Sequence, residues 1–229
     1  MEAVAHIRSD FATKFGVPRQ AGVVKELRAA VVLDPPYRSP EALRGIEGFS
    51  HLWLIWEFSH SKRAGWSPTV RPPRLGGNRR IGVFASRSPF RPNPIGLSCV
   101  RLEGVEWDTP DGPALIVSGA DLVDGTPILD IKPYVPYADC RPEAKGGFAA
   151  AAPEGALAVE IPPELLERVP EDRRAALLGV LAQDPRPSYH ADPDRVYGMA
   201  FAGLEVRFTV AEERLTVREV SAAPGGPAR

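Results

Sequence analysis

The chain has 229 residues, which suits one large domain or a main domain with a small appendage, and is enough to bury a sizeable core. Its two cysteines exclude a disulfide framework and a multi-cysteine zinc site, and its four histidines lack metal-ligand spacing, so we expect no metal. The net charge of −1 argues against a polyanionic partner, but residues 58–102 carry nine basic side chains and no acidic one, which reverses that inference.

Short apolar segments separated by turn residues, such as Asp111-Gly112-Pro113, are typical of β-strands in the first two-thirds of the chain. The segment His51–Phe58 is apolar on both faces, which predicts a fully buried strand. A short helix is predicted from Ser39 to Gly45. Strands and helices do not alternate, so a closed or nearly closed barrel over residues 1–145 is favoured over a doubly wound sheet. The seven predicted strands are Val4–Arg8, Val23–Leu33, His51–Phe58, Arg80–Ala85, Leu97–Trp107, Ala114–Ser118 and Ile128–Tyr134.

The last third of the chain differs in composition. Residues 146–160 are rich in alanine and glycine, which predicts a linker. Residues 161–221 predict a small α+β domain, with a helix over 163–184 followed by three strands. We expect residues 222–229 to be a disordered tail. The predicted fold class is therefore mainly β, a β-barrel with a small C-terminal α+β domain.

A basic, proline-framed stretch lies between the predicted strands. Residues 71–96 contain six arginines, and the prolines hold their neighbours in extended conformations. The planar guanidinium group of arginine binds phosphate in a bidentate manner, so these arginines predict a nucleic-acid-binding face. The alternative is a solvated loop with incidental charge. The candidates for RNA binding are Arg71, Arg74, Arg79, Arg80 and Arg91.

A second polar motif is DLVDGTPILDIKPY at residues 121–134. Asp124 to Pro127 form a turn, and Asp130, Lys132 and Tyr134 then alternate onto one face of a strand. A carboxylate, an amine and a phenol on one face suit the binding of a polar ligand or proton transfer. They suit equally well a surface salt bridge beside an exposed tyrosine, and the spacing alone leaves both interpretations open.

Several familiar signatures are absent. The sequence has no G-x-G-x-x-G after a strand, no P-loop and no G-x-S-x-G elbow. Its apolar runs are shorter than the ~18–20 residues of a membrane span, and its first residues lack the layout of a signal peptide. The residues alone therefore predict a cytoplasmic β-barrel, with no membrane segment, whose arginine-rich face meets a nucleic acid.

Five motifs occur in order along the first two-thirds of the chain: PRQ at 18–20, GFSHLW at 48–53, RPPRLGGN at 71–78, GVFASRSPFRPNPIGLS at 82–98 and DLVDGTPILDIKPY at 121–134. Together they resemble the TrmO (TsaA-like) family of tRNA methyltransferases. The similarity continues in LAQDPRPSY at 181–189 and YGMAF at 197–201. It implies a single-sheeted β-barrel that binds S-adenosylmethionine without a Rossmann motif.

The resemblance also implies an activity, a partner and a set of cofactor contacts. Family members methylate the exocyclic nitrogen of threonylcarbamoyladenosine next to the anticodon of threonine tRNAs, and they are homodimers. By motif, the cofactor-binding positions are Pro18, Arg19, Gln20, His60, Ser61, Arg87, Leu97, Asp124, Gly125, Thr126 and Pro127.

The implied chemistry has its own requirements. The acceptor nitrogen carries a carbamoyl group, so its lone pair is delocalised and its proton must be removed or hydrogen-bonded during transfer. The candidates for contact with that proton are Tyr134, Asp130 and Asp124, and Asn93 would orient the base or the carbamoyl group. Arg87 or Arg91 would pair with the threonyl carboxylate or an anticodon-loop phosphate. A non-enzymatic RNA-binding barrel that uses the same basic face, and less favourably a phosphate-ester hydrolase, remain as alternatives.

Overall fold

The computed structural model describes residues 1–61, 65–150, 156–187 and 192–223. Three parts of the sequence discussed above lie outside these ranges. They are Lys62 and Arg63 of the basic residues 58–102, Ser188 and Tyr189 of the motif at 181–189, and residues 224–229 of the predicted tail. The helices are α1 (Pro136–Asp139), α2 (Pro163–Leu166) and α3 (Glu171–Ala182). The strands are β1 (Ala5–Arg8), β2 (Arg28–Leu33), β3 (His51–Glu57), β4 (Thr69–Val70), β5 (Ile81–Gly82), β6 (Ile95–Glu106), β7 (Ala114–Ser118), β8 (Pro127–Pro133), β9 (Ala158–Glu160), β10 (Tyr197–Phe201), β11 (Leu204–Ala211) and β12 (Arg214–Ala222).

Six antiparallel strands close into a barrel in the order β1-β2-β7-β6-β3-β8, which confirms the mainly β prediction. Strand β3 alternates, because Leu52, Leu54 and Trp56 are buried inside the barrel while the residues between them are only partly buried. The prediction of full burial on both faces of this strand is therefore wrong, since its bulky apolar residues occur on the outer face as well.

One end of the barrel collects the end of β3 and the beginnings of β6 and β8. Trp56 is opposite Gly96 on one neighbour and Ile128 on the other. The loops that continue from these three strand ends therefore meet around one opening. This convergence places the candidate site described below.

The predicted strand at Arg80–Ala85 is much shorter than expected. Only Ile81 and Gly82 are extended, and they pair with Thr69 and Val70 in a separate two-stranded sheet. A short helical turn over Val83–Ala85 ends the strand, and Pro72 and Pro73 end its partner. The barrel therefore has six strands rather than seven, and we call residues 65–85 the basic arm.

The C-terminal unit is a four-stranded sheet in the order β10-β11-β12-β9 with α2 and α3 packed near it. The predicted helix over 163–184 is broken at Pro170, which precedes α3. Residues 151–155 of the predicted linker lie outside the described ranges. The last residues of that linker form β9, which pairs in parallel with β12.

The core of the C-terminal unit also contains residues from the long connection between β1 and β2. Phe11, Val24 and Leu27 are buried in it together with side chains of α3 and β10–β12. Arg173 of α3 forms an ion pair with Asp10 (3.1 Å) at the edge of this contact. The two parts of the chain are therefore joined by a shared apolar core.

Within the described ranges, no helix combines the length and the apolar character needed to cross a bilayer. The same residues contain no cluster of three or more His, Cys, Asp or Glu side chains suited to a metal ion.

Candidate functional site

The opening of the barrel leads into a cavity of about 440 Å³, a size in the range of small-ligand sites. Four segments form its wall: residues 14–20, the end of β3 with the turn that follows it, the loop that leads into β6, and the turn before β8. The lining residues are Lys14, Val17, Pro18, Arg19, Gln20, Trp56, Glu57, Phe58, Ser59, His60, Ser61, Ser86, Arg87, Arg91, Ile95, Gly96, Leu97, Asp121, Leu122, Val123 and Thr126.

Hydrogen bonds connect the loops around the cavity. The Arg87 guanidinium donates to the side-chain oxygen of Gln20. The Lys14 ammonium donates to the His60 carbonyl (2.8 Å) and to the Ser61 hydroxyl (3.4 Å). The 14–20 segment is thus hydrogen-bonded to the turn after β3 and to the loop before β6. The cations that form these bonds, Lys14 and Arg87, both lie in the wall of the cavity.

A chain of side chains runs from the barrel core to the cavity. The Trp56 indole Nε1–H donates to the buried Ser98 hydroxyl (2.9 Å), and this hydroxyl donates to Asp121 Oδ1 (2.5 Å). The Trp56 ring fits only because residue 96 is glycine, since an added Cβ there would lie 2.2 Å from Trp56 Cε2. The core thereby fixes the orientation of one cavity carboxylate.

Asp121 has an unusual electrostatic environment. Burial raises the pKa of its carboxyl group, and the hydrogen bond from Ser98 and the nearby Arg87 charge offset only part of this effect. A carboxyl group with a raised pKa in a cleft, held by hydrogen bonds and facing a cation, is a typical ligand-site residue.

Eight of the predicted cofactor-binding residues lie in the cavity wall. They are Pro18, Arg19, Gln20, His60, Ser61, Arg87, Leu97 and Thr126. Asp124, Gly125 and Pro127 lie outside the wall. Asp124 instead stabilises the turn, because its Oδ1 accepts the Ser9 backbone N–H (2.9 Å) and its own N–H donates to the Phe11 carbonyl (2.8 Å).

The predicted catalytic residues are not brought to the cavity. Asp130 faces away from the barrel interior, opposite Ile55, and forms an exposed ion pair with Lys132 (2.8 Å). Tyr134 packs beside Trp53 on the same outer face, and partial burial raises its phenolic pKa, which disfavours a phenolate. Asn93 is exposed at the start of the turn into β6. The catalytic roles of these three residues stay predictions.

The predicted RNA-binding arginines divide into two groups. Arg91 lies in the cavity wall, where its guanidinium donates to the Ser86 (3.0 Å) and Ser88 (3.1 Å) carbonyls. Arg71, Arg74, Arg79 and Arg80 lie in the basic arm, where Arg80 donates to the Thr69 hydroxyl (3.2 Å). Arg91 therefore lies at the cavity, and the other four arginines extend the positive charge along the arm.

The sequence patterns did not single out several wall residues, above all Asp121, Trp56 and Lys14. Asp121 stands three residues before Asp124 in the same motif, and the turn pattern drew attention to the second aspartate. Trp56 belongs to the strand His51–Phe58 that was predicted to be buried, and it is a core residue whose indole also lines the cavity.

The C-terminal unit supports the 14–20 segment from behind. Phe11 packs edge-on against Phe201 (centroids 5.5 Å apart), and Phe15 stacks on Phe208 (6.5 Å). Gly16 has a φ of +92°, and a Cβ on it would lie 2.2 Å from Met199 Sδ. The position of the cavity loop therefore depends on the C-terminal core.

Gly16→Ala tests this dependence. Both the positive φ and the contact with Met199 oppose the added methyl group, so we expect the loop to shift and the affinity for the small ligand of the cavity to fall about tenfold. Gly22→Ala is the matched control, because Gly22 has a φ of +76° but open space around it. Calorimetric titration of both variants with S-adenosylmethionine, the ligand implied by the sequence motifs, checks the result. Equal affinities in the two variants would contradict the dependence of the cavity loop on the C-terminal core.

A closed barrel with a charged cavity at one end and a basic arm beside it defines a small-ligand-binding β-barrel suited to a polyanionic partner. Residues 6–140 match the family model described as tRNA-methyltransferase O N-terminal domain, and residues 154–223 match the TrmO C-terminal domain. The chain therefore belongs to the TrmO family.

Individual relatives agree with this membership. The chain is 44% identical over 219 residues to the tRNA (adenine(37)-N6)-methyltransferase of Escherichia coli (strain K12), with 92% of this chain and 93% of that protein covered. It is 45% identical over 213 residues to the putative S-adenosylmethionine-dependent methyltransferase RcsF of Pseudomonas aeruginosa, with 90% of each chain covered. A crystal structure of TrmO from Pseudomonas aeruginosa superposes with a TM-score of 0.76 at 36% identity, covering 96% of this chain and 98% of that one.

Proposed function

We propose that this protein is an S-adenosylmethionine-dependent methyltransferase that acts on adenine 37 of tRNA. Its acceptor, in this proposal, is the exocyclic nitrogen of threonylcarbamoyladenosine next to the anticodon of threonine tRNAs, and it works as a homodimer. The observation that carries the proposal is the cavity of about 440 Å³ that opens beside a basic arm in a TrmO-family barrel. The names of the relatives support the same chemistry.

The cavity has groups that suit this cofactor. Arg19 and Arg87 offer cationic partners for a carboxylate, and Asp121 offers a carboxylate for a positively charged group. Trp56 and Leu97 supply apolar surface for a planar base. The bound cofactor contributes an electrophilic methyl group.

The residues of the wall position the reactants. Because Arg87 is hydrogen-bonded to Gln20, it joins the 14–20 segment to the loop that leads into β6. Because Asp121 accepts the hydrogen bond from Ser98, its carboxylate is held in place at the cavity wall. Holding the acceptor nitrogen, the methyl carbon and the sulfur in line supplies a large part of the rate enhancement in such transfers.

The threonylcarbamoyl group adds a carboxylate that adenosine lacks. Arg91 is folded onto its own loop by two carbonyl contacts, which fixes its guanidinium on the same wall as Arg87. A charge-assisted pair between an arginine and this carboxylate contributes about 1.5–3 kcal/mol, which corresponds to roughly a ten- to hundredfold preference.

Methyl transfer to two samples of threonine tRNA tests the acceptor. One sample comes from wild-type cells and the other from cells that cannot install the threonylcarbamoyl group. We expect incorporation at least tenfold faster into the first sample. Equal rates would contradict the threonylcarbamoyl acceptor but keep the methyltransferase, whereas tRNA binding without transfer to either sample would favour a non-enzymatic RNA-binding barrel.

The basic arm predicts a steep salt dependence of tRNA binding. Replacing Arg74, Arg79 and Arg80 together by glutamine is expected to reduce the slope of log affinity against log salt by up to about 2–3, at about 0.7–0.9 per lost phosphate contact. The same replacement of Arg207, Arg214 and Arg218 on the C-terminal sheet is the control and should leave the slope unchanged. Filter binding over a range of salt concentrations measures both, and a wild-type slope in the arm variant would contradict the assignment.

A further inference from the structure

Two aromatic side chains of the basic arm form an exposed stacked pair. The rings of Trp66 and Phe84 lie with centroids 6.3 Å apart and an interplanar angle of 26°, and their side chains are 51% and 74% exposed. Among the ring pairs of the described residues, this is the one in which both rings are exposed. Exposing two large rings next to each other is unfavourable in water, which points to a ligand that covers them.

The arm is built so that these rings meet. Trp66 and Phe84 are far apart in the sequence, and the ladder between Thr69–Val70 and Ile81–Gly82 brings their ends together. Backbone bonds reinforce this arrangement on both sides, from Val83 N–H to the Pro68 carbonyl (3.0 Å) and from Ser67 N–H to the Phe90 carbonyl (3.3 Å). The pair is therefore fixed by the fold of the arm rather than by a chance contact of two loops.

The charge around the pair indicates what covers it. Residues 65–94 contain six arginines and no aspartate or glutamate. Exposed rings combined with arginines are the combination that binds single-stranded nucleic acid, in which bases stack on aromatic side chains and phosphates meet cations. A symmetric contact with a second copy of the chain would instead place these arginines against themselves.

The pair also lies close to the cavity along the chain. Phe84 precedes Ser86 and Arg87 of the cavity wall by two and three residues. We propose that Trp66 and Phe84 form a stacking platform for an unpaired nucleobase of the RNA, next to the nucleoside that enters the cavity. This inference rests on the proposed function for the identity of the RNA, but stacking itself needs no methyl transfer.

A double variant, Trp66→Leu with Phe84→Leu, tests the platform by keeping apolar surface and removing the aromatic faces. The probe is a short single-stranded oligoribonucleotide, and binding is followed by fluorescence anisotropy. We expect the dissociation constant to rise about ten- to a hundredfold. The salt slope should stay at its wild-type value because no charge is removed, and the calorimetric affinity for S-adenosylmethionine should not change.

Two controls make the result specific. The pair Trp66→Phe with Phe84→Tyr keeps two aromatic faces and should retain near-wild-type RNA affinity. An abasic oligonucleotide of the same length should bind wild type and the leucine variant equally. Phe84→Leu alone, at the more exposed position, provides a milder second variant if the double one unfolds.

Unchanged RNA affinity in the leucine variants would overturn the platform. A change in the mass measured by analytical ultracentrifugation, with unchanged RNA affinity, would overturn it in favour of an interface between two copies of the chain. The platform and the proposed reaction can fail separately. If the wild-type protein does not transfer methyl groups but the leucine variants lose oligoribonucleotide binding, the platform is upheld and only the proposed reaction is overturned.

Discussion

Replacing Asp121 by asparagine is expected to raise the thermal stability of the protein and to lower its affinity for S-adenosylmethionine about ten- to a hundredfold. The affinity falls because asparagine cannot offer a negative charge to a positively charged group of the cofactor. The stability rises because the folded protein no longer buries an ionised carboxylate, while the amide oxygen still accepts the hydrogen bond from Ser98.

The effect on stability should depend on pH in a defined direction. Because the pKa of Asp121 is higher in the folded than in the unfolded protein, its contribution to stability is complete below the unfolded pKa and is lost as pH rises through the folded value. The asparagine variant avoids that loss. A higher melting temperature than that of wild type is expected at pH 8, and this gain should disappear toward pH 4.

Asp124→Asn is the matched control for this experiment. Asp124 is an exposed turn residue outside the cavity wall, and an amide oxygen can still accept the Ser9 N–H. We therefore expect near-wild-type affinity and melting temperature in that variant. If the Asp124 variant lost affinity and the Asp121 variant did not, the assignment of the cavity carboxylate would be reversed.

Gly96→Ala is expected to lower the free energy of unfolding by about 2–4 kcal/mol and to weaken cofactor binding more than tenfold. The added Cβ would lie 2.2 Å from Trp56 Cε2, so the indole must move and give up its bond to the buried Ser98 hydroxyl. Both the inner end of the cavity and the orientation of Asp121 depend on that indole.

Gly104 lies on the same strand as Gly96 and has open space around it. Gly104→Ala is therefore the control, because it adds a methyl group to β6 without the clash with Trp56. Urea unfolding and calorimetric titration of the two variants give the comparison. Similar stability and affinity in both would show that the barrel accommodates the methyl group and that Trp56 does not control the cavity.

Local patterns in the sequence predicted most barrel strands, because alternation and turn residues are properties of a few neighbouring positions. The closure of β1 against β8 and the shared apolar core of Phe11 and Phe201 depend on distant pairings that no local pattern encodes. The predicted strand at Arg80–Ala85 was too long, because a helical turn over Val83–Ala85 ends β5 after Gly82, and Pro72 and Pro73 keep its partner β4 equally short.

The family motifs predicted several residues that line the cavity, among them Pro18 to Gln20 and Arg87. Asp130 and Tyr134 were selected because they share one face of a strand, but alternation does not say whether that face is inside or outside the barrel. Asp121 was not predicted, because its role depends on residues that are distant in the sequence. It accepts a hydrogen bond from Ser98 on β6, which in turn accepts one from Trp56 on β3.

Calorimetric titration of the full chain with S-adenosylmethionine, with and without a side chain that fills the cavity, tests the central claim most directly. Leu97 is 52% exposed in the cavity wall, so Leu97→Trp occupies the cavity without disturbing the barrel core, and Leu178→Trp on α3, at 36% exposure and away from the cavity, is its control. We predict saturable binding in wild type and Leu178→Trp and a loss of at least tenfold in Leu97→Trp. Equal affinity in all three proteins, or no binding to wild type, would contradict the assignment of this cavity as the cofactor site.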